Sequence, residues 1–181
     1  MYKEVKIIGK SIGKIFENNF KASIPDNIWY YRPPDSAQGF DIGASSKLRF
    51  SQHSPCDCML FNGTHLFCLE LKTVFGTSIS FEREKDDKGV IHKYQFDSLS
   101  KFAKYKNVIS GFLLDFRKSD HTYFTKIDDV LNMIKCIDKK SFNEGDLLKH
   151  SSPTLIEKKK LKVNYKYNVA LMIEQVIKKG D

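Results

Sequence analysis

The chain has 181 residues, 41% hydrophobic and 13% aromatic, enough for one core that buries roughly 70% of the surface exposed by the unfolded chain. The formal net charge of +8 and the pI near 9.2 favour a polyanionic partner, either nucleic acid or an anionic membrane surface. No apolar run approaches the roughly 20 residues that span a bilayer, and the N-terminus lacks the pattern of a secretion signal. These features predict a single cytoplasmic domain over residues 1–181 that does not associate with membranes.

The N-terminal part begins with apolar residues at spacings of three and four, which predict a helix over residues 11–22. Glu17 lies beside the apolar stripe of that helix, where it either faces solvent or points into a site. An aromatic strand follows and ends at Pro33 and Pro34, which have no amide hydrogen to donate to a sheet. Residues 35–53 are rich in Ser, Gly and Gln without a sustained period, which predicts either a long functional loop or a mobile excursion.

Residues 54–73 contain two apolar runs joined at an Asn-Gly dipeptide, the strongest short signal for a β-hairpin. Three charged residues interrupt these predicted strands: Asp57, Glu70 and Lys72. Glu70 and Lys72 are two residues apart, so their side chains project from the same face of the strand. Charges in a half-buried sheet are costly unless they are paired or bind a metal. The hairpin therefore carries either a functional site or an exposed Glu-Lys ion pair.

The second half of the chain alternates predicted helices and strands. A helical pattern over 91–105 places Gln95 on the buried stripe, where its amide either caps a strand end or faces the site. The apolar run 108–116 predicts a central strand and the aromatic run 121–125 a second one. Residues 126–137 again show helical spacing, with acids near the start that suit the helix dipole.

Residues 138–181 form a basic C-terminal extension whose last part, over 169–177, has helical spacing. A lysine run interleaved with tyrosines within it is either a solvated face or a phosphate-binding surface. We predict DNA contacts from six basic residues along the chain: Arg32, Lys47, Arg49, Lys158, Lys159 and Lys160.

The two acids of the hairpin, Asp57 and Glu70, offer hard oxygen ligands that suit magnesium or manganese better than zinc. Such an ion lowers the pKa of bound water, and Lys72 can orient that water or offset charge on a phosphorane. This chemistry is that of a phosphodiester hydrolase. The alternative is a zinc site built from Cys56, Cys58, Cys68 and His65, but Cys-x-Cys on one strand is a poor chelate, and the four cysteines are more typical of reduced, mostly buried thiols.

Pro55-Cys56-Asp57, followed after a strand-sized gap by Leu69-Glu70-Leu71-Lys72, resembles the motif of the PD-(D/E)XK nuclease superfamily. The wider order of segments, from about residue 9 to residue 135, resembles the RecU-type Holliday junction resolvases and their phage relatives. The segments that carry this wider resemblance are Gly13-Lys14-Ile15-Phe16-Glu17, His92-Lys93-Tyr94-Gln95 and Gly111-Phe112-Leu113-Leu114-Asp115-Phe116.

The resemblance implies an α/β, restriction-endonuclease-like core with a central mixed β-sheet flanked by helices. It implies that residues 35–53 form a stalk-like excursion that enters a DNA junction. It also implies a homodimer that resolves four-way junctions by paired symmetric nicks in DNA recombination and repair.

For the active site, the resemblance implies that Asp57 and Glu70 hold Mg²⁺, for which Mn²⁺ can substitute, and that Lys72 assists catalysis. Gln95 and Glu17 would complete the site. Two alternatives remain open at this point. One is a nuclease of the same superfamily that acts on other DNA, of restriction or repair type. The other is a non-catalytic basic protein that binds nucleic acid and whose acids are structural.

Overall fold

The computed structural model describes residues 12–34, 54–84 and 87–180. The predicted stalk-like excursion over 35–53, with Lys47 and Arg49, lies outside these ranges. The helices are α1 Ile12–Lys21, α2 Lys93–Ala103, α3 Ile127–Cys136, α4 Glu144–His150 and α5 Val169–Lys178. The strands are β1 Trp29–Tyr31, β2 Cys58–Phe61, β3 Leu66–Val74, β4 Ser78–Ser80, β5 Val108–Phe116, β6 His121–Lys126, β7 Ser141–Asn143, β8 Thr154–Leu155, β9 Lys158–Lys160 and β10 Tyr165–Tyr167.

A six-stranded mixed sheet with the order β1-β2-β3-β5-β6-β8 forms the centre of the fold. The β3–β5 pair is parallel, and the other neighbours in this sheet are antiparallel. The prediction of an α/β fold with a central mixed sheet is confirmed, and β5 is one of its two middle strands.

Helices cover both faces of the sheet because each face buries its own hydrophobic core. One core contains apolar side chains from α2, α3 and α4, and the other contains apolar side chains from α1 and α5. Alternate residues of β3 face the two cores, since Cys68 belongs to the first and Leu69 to the second. None of the helices in the described ranges is long and apolar enough to cross a membrane.

The predicted hairpin is β2 and β3, and its turn follows the chemistry of the Asn-Gly pair. The side-chain oxygen of Asn62 accepts hydrogen bonds from the backbone N–H groups of Thr64, at 3.1 Å, and His65, at 2.8 Å. Gly63 has φ +95°, a left-handed conformation that favours glycine. The turn fixes a register in which Cys58 lies opposite Leu69, and the backbone N–H of Asp57, the residue before β2, also donates to Leu69 O at 3.1 Å.

Two segments differ from the predicted boundaries. Helix α2 begins at Lys93 rather than at residue 91, because Ile91 forms a β-bridge with Phe81 and its backbone N–H donates to Ser80 O at 3.0 Å. The C-terminal extension ends in a helix as predicted, but its middle part is also structured. Strand β8 joins the edge of the central sheet, and β9 and β10 form a separate two-stranded sheet.

Candidate metal centre

The hairpin brings the two predicted metal-binding carboxylates together, because Asp57 immediately precedes β2, which pairs with the strand β3 that carries Glu70. The two carboxyl groups are close enough for the charge of Asp57 to raise the pKa of Glu70. Asp57 Oδ2 accepts a hydrogen bond of 2.8 Å from the backbone N–H of Leu71, which fixes that carboxylate against β3. Glu70 is buried, with 4% of its surface exposed. Two acids therefore meet in a poorly hydrated position, as metal-binding carboxylates do.

Lys72 and Gln95 both contact Glu70. Lys72 Nζ lies 3.1 Å from Glu70 Oε1, and the lysine side chain is only 14% exposed. Gln95 Nε2 donates a hydrogen bond to the same oxygen, Glu70 Oε1. Gln95 Oε1 accepts from the backbone N–H of His92 at 2.9 Å, closing the N-terminus of α2. Gln95 therefore caps the N-terminus of a helix rather than a strand end, and the other end of its amide contacts Glu70.

Glu17 lies near Asp57 but is engaged by cations. Its Oε2 accepts from Lys14 Nζ at 2.8 Å and from Arg32 Nη1 at 2.9 Å. Glu17, Tyr30 and Asp57 line one small cavity. Glu17 is therefore more than a solvated flank of α1, and it joins this helix to the end of β1 beside the candidate metal centre.

Burial and mutual repulsion disfavour the charged forms of both acids. Loss of hydration and then the charge of Asp57 raise the pKa of Glu70 to about 7, although Lys72 opposes the rise. Loss of hydration also raises the pKa of Asp57, against the lowering effect of the Leu71 N–H group and of Lys72. A single lysine ammonium does not compensate both the buried carboxylate of Glu70 and the half-buried carboxylate of Asp57. The pair would gain from a divalent cation, which supplies the missing positive charge.

The donor set fits magnesium better than a structural metal. No group of three or more His, Cys, Asp or Glu side chains suited to a metal occurs within 12–34, 54–84 and 87–180. Magnesium is usually held by one or two carboxylates and keeps several waters or phosphate oxygens, so two carboxylates suffice for it. The zinc alternative lacks support, because Cys58 packs in the core on one face of the sheet while Cys56 and Cys68 pack on the other.

The predicted DNA-binding residues differ in their environments. Lys158 is nearly buried, and its Nζ lies 3.3 Å from Asp115 Oδ1 and 2.9 Å from Asp120 Oδ1, so its charge is balanced within the protein. Lys159 and Lys160 are exposed on β9, where Lys159 lies opposite Lys166 of β10. Arg32 takes part in the ion pair described above. The two remaining basic residues lie outside the described ranges.

Sequence reasoning missed a polar cluster next to Gln95. Glu82 Oε1 lies 2.7 Å from His92 Nδ1, and Glu82 Oε2 accepts from the backbone N–H of Lys93 at 2.9 Å. The His92 ring stacks on that of Tyr94, with centroids 5.5 Å apart. Glu82 begins a run of charged residues that is typical of a solvated connection, so the sequence does not indicate its contact with His92. The contact forms because Phe81 pairs with Ile91 on the other side of that run.

The raised pKa of Glu70 predicts how the stability of the metal-free protein depends on pH. Folded Glu70 binds its proton up to about pH 7, whereas in the unfolded chain it loses the proton near its ordinary pKa of 4.5. Between these values the unfolded state binds fewer protons, so the free energy of unfolding falls as pH rises. We expect urea unfolding in EDTA to show this fall and Glu70→Gln to flatten it. An equally steep fall in the variant would contradict the expectation.

Comparison with known proteins places the chain in a family. No protein-family model matches the sequence. Among solved structures, an archaeal Holliday junction resolvase, Hjc of Archaeoglobus fulgidus, matches with a TM-score of 0.41 and 13% identity, over 77% of this chain and 90% of that one. A match at this level carries no functional assignment. The SPbeta prophage-derived uncharacterized protein YotM of Bacillus subtilis (strain 168) is 33% identical over 181 residues, which cover 92% of this chain and 87% of that protein. The chain therefore belongs to the family of this prophage protein.

Proposed function

We propose that the chain is a magnesium-dependent DNA endonuclease of the PD-(D/E)XK type, which acts as a RecU-like homodimer and resolves four-way junctions by paired symmetric nicks. The observation that carries the proposal is the convergence of Asp57 and Glu70 on adjacent strands, with Lys72 Nζ 3.1 Å from Glu70. Two acids and a lysine around one buried point supply what phosphodiester hydrolysis requires: a place for a metal and a cation near the reacting phosphate.

In the proposed mechanism Asp57 and Glu70 would hold the metal. When bound, Mg²⁺ lowers the pKa of water and neutralises charge on the phosphate. Lys72 orients the attacking water and stabilises negative charge that develops on the phosphorane oxygens. Gln95 positions the Glu70 carboxylate through its amide, and the cap on α2 in turn fixes the orientation of that amide. Glu17 and its ion pairs hold the neighbouring end of β1.

The charge of the chain supports DNA as the substrate. The net charge is +8, and the exposed lysines Lys159, Lys160 and Lys166 lie together on the β9–β10 hairpin. Contacts between lysines and phosphates release counterions, so binding should weaken steeply as salt concentration rises. This electrostatic contribution to affinity applies to any DNA and does not by itself select junctions.

Incubation with matched four-way, Y-shaped and linear duplexes of shared sequence, in Mg²⁺ and in Mn²⁺, tests the proposal. We expect paired symmetric nicks in the four-way junction and little cutting of the linear duplex. Equal cutting of all three substrates would overturn junction selectivity and leave a nuclease of broader substrate range. Binding without any cutting in either metal would overturn the enzyme and favour a basic DNA-binding protein.

A further inference from the structure

An exposed aromatic pair on the edge strand β1 has no role in the site described so far. Trp29 is 53% exposed and Tyr31 is 44% exposed. Their rings are nearly parallel, with an angle of 10° between the planes and centroids 5.7 Å apart. Large apolar rings held open to solvent in an ordered, parallel arrangement are more typical of a binding surface than of a folding requirement.

The register places this pair on the same face of the sheet as Glu70 of the candidate metal centre. Tyr31 lies opposite Met59, which lies opposite Cys68 on β3. Glu70 follows Cys68 by two residues, so its side chain leaves the same face about 6–7 Å further along the strand. Trp29 lies opposite Phe61, whose ring is 42% exposed. The aromatic side chains therefore form a row along the edge of the sheet, and this row leads away from Glu70. Its members are Tyr31, Trp29 and Phe61.

The surroundings of the pair suit a polyanion with flat rings. The chain carries a net charge of +8, and Lys21 Nζ lies close to β1, 5.3 Å from the centre of the Tyr30 ring, although on the opposite face of the strand from Trp29 and Tyr31. Exposed aromatic rings on a basic protein are a usual means of binding unpaired nucleic-acid strands, because every base has a face that can stack. Bases inside a continuous duplex are already stacked and do not reach such a surface.

We propose that Trp29 and Tyr31 form a stacking platform for unpaired bases of the DNA strand that enters the metal centre. The substrate class is then DNA with unstacked bases near the cut, such as branch points, flaps or single strands. The position of the cut rests on the proposed function, whereas base stacking on the two rings does not. The two claims can therefore fail separately.

Trp29 provides a direct measurement because it is the only tryptophan of the chain. In EDTA, where no cleavage occurs, we expect a single-stranded oligonucleotide and a four-way junction to quench its fluorescence at saturation. A linear duplex should quench it little. The fluorescence measured with the same fraction of protein bound to duplex is the control for general effects of DNA charge on Trp29.

Affinity measurements on variants complete the test. Trp29→Ala and Tyr31→Ala should each weaken binding of the single strand and the junction by roughly tenfold or more, and Trp29→Phe should retain most of the affinity. Duplex binding should not change. The matched control is Tyr105→Ala, which removes a ring that is 68% exposed beyond the end of α2 and should not change any affinity.

Three results would overturn the platform: absence of quenching, an equal loss of affinity for duplex and single strand, or conversion of a dimer to a monomer by Trp29→Ala. The last result would make the pair a subunit contact. If the platform is refuted, DNA cleavage that depends on Asp57 would still support the proposed function. Quenching without cutting in either metal would instead overturn the proposed function and leave the platform in place.

Discussion

Asp57→Asn and Glu70→Gln should each abolish DNA cleavage while DNA binding persists. Each change removes one of the two carboxylates that would hold the metal. Loss of a metal that contributes several kcal/mol of transition-state stabilisation lowers the rate by about 10³-fold or more. Single-turnover cleavage of a labelled junction in Mg²⁺ measures this effect, and gel-shift titration in EDTA measures binding.

Both variants should fold, because each new amide oxygen can accept the hydrogen bonds made to the original carboxylate. The backbone N–H of Leu71 can donate to residue 57, and Gln95 Nε2 can donate to residue 70. Neutralising either member of a repelling pair should leave thermal stability equal or higher in EDTA. Asp97→Asn is the matched control, since it removes an exposed acid of α2 and should cut like the unmodified protein. Wild-type rates in either site variant would remove the basis for a metal at this hairpin.

Lys72→Met should lower the rate of cleavage by about 10²–10³-fold, the usual cost of removing one group that stabilises developing charge. Methionine retains the apolar stem, and the side chain it replaces is 14% exposed, so packing should be largely preserved. The measurement is kcat on a four-way junction across a range of pH. Lys101→Met, an exposed lysine on α2, is the control for loss of one positive charge.

The pH profile separates a catalytic role of Lys72 from a merely structural one. Lys72 lowers the pKa of Glu70, so its removal should raise that pKa further above about 7. A protonated carboxyl does not bind Mg²⁺, and we therefore expect the activity that remains in Lys72→Met to rise at higher pH than in the unmodified protein. A uniform loss at every pH, together with a lower melting temperature, would indicate that Lys72 only stabilises the fold.

Much of the fold and the centre of the site could be predicted from local signals. The Asn-Gly turn sets the hairpin register, and two charges at i and i+2 on a strand must share a face. Helical spacing placed Gln95 on the buried side of α2, where its burial is confirmed. These features depend on a few neighbouring residues, so the sequence contains the information directly.

Features that depend on distant pairing could not be predicted. The ion pairs of Lys158 with Asp115 and Asp120 depend on where β9 packs against the sheet, and a lysine run resembles a solvated face in any sequence. Strands β4 and β7 have three residues each, and their paired residues, such as Ile79 and Phe142, are 63 positions apart in the chain. Strands so short and so distant leave no pattern in the sequence that predicts their pairing. Helix α4 was missed although Asn143 and Asp146 form its capping box, because seven residues give little periodicity.

The packing of α1 against the last part of the chain has a consequence for folding during synthesis. Phe16 of α1 contacts Tyr167 of β10 at a ring-centroid distance of 5.7 Å, and both lie in the core that α5 completes. The first described helix packs early against β3, but its packing is complete only after the ribosome has made β10 and α5. Until then part of its apolar face is exposed, and the chain depends on late, non-local contacts that slow folding and favour aggregation. A nascent chain stalled near residue 150 should therefore be a substrate for chaperones, although it already contains both carboxylates of the candidate metal centre.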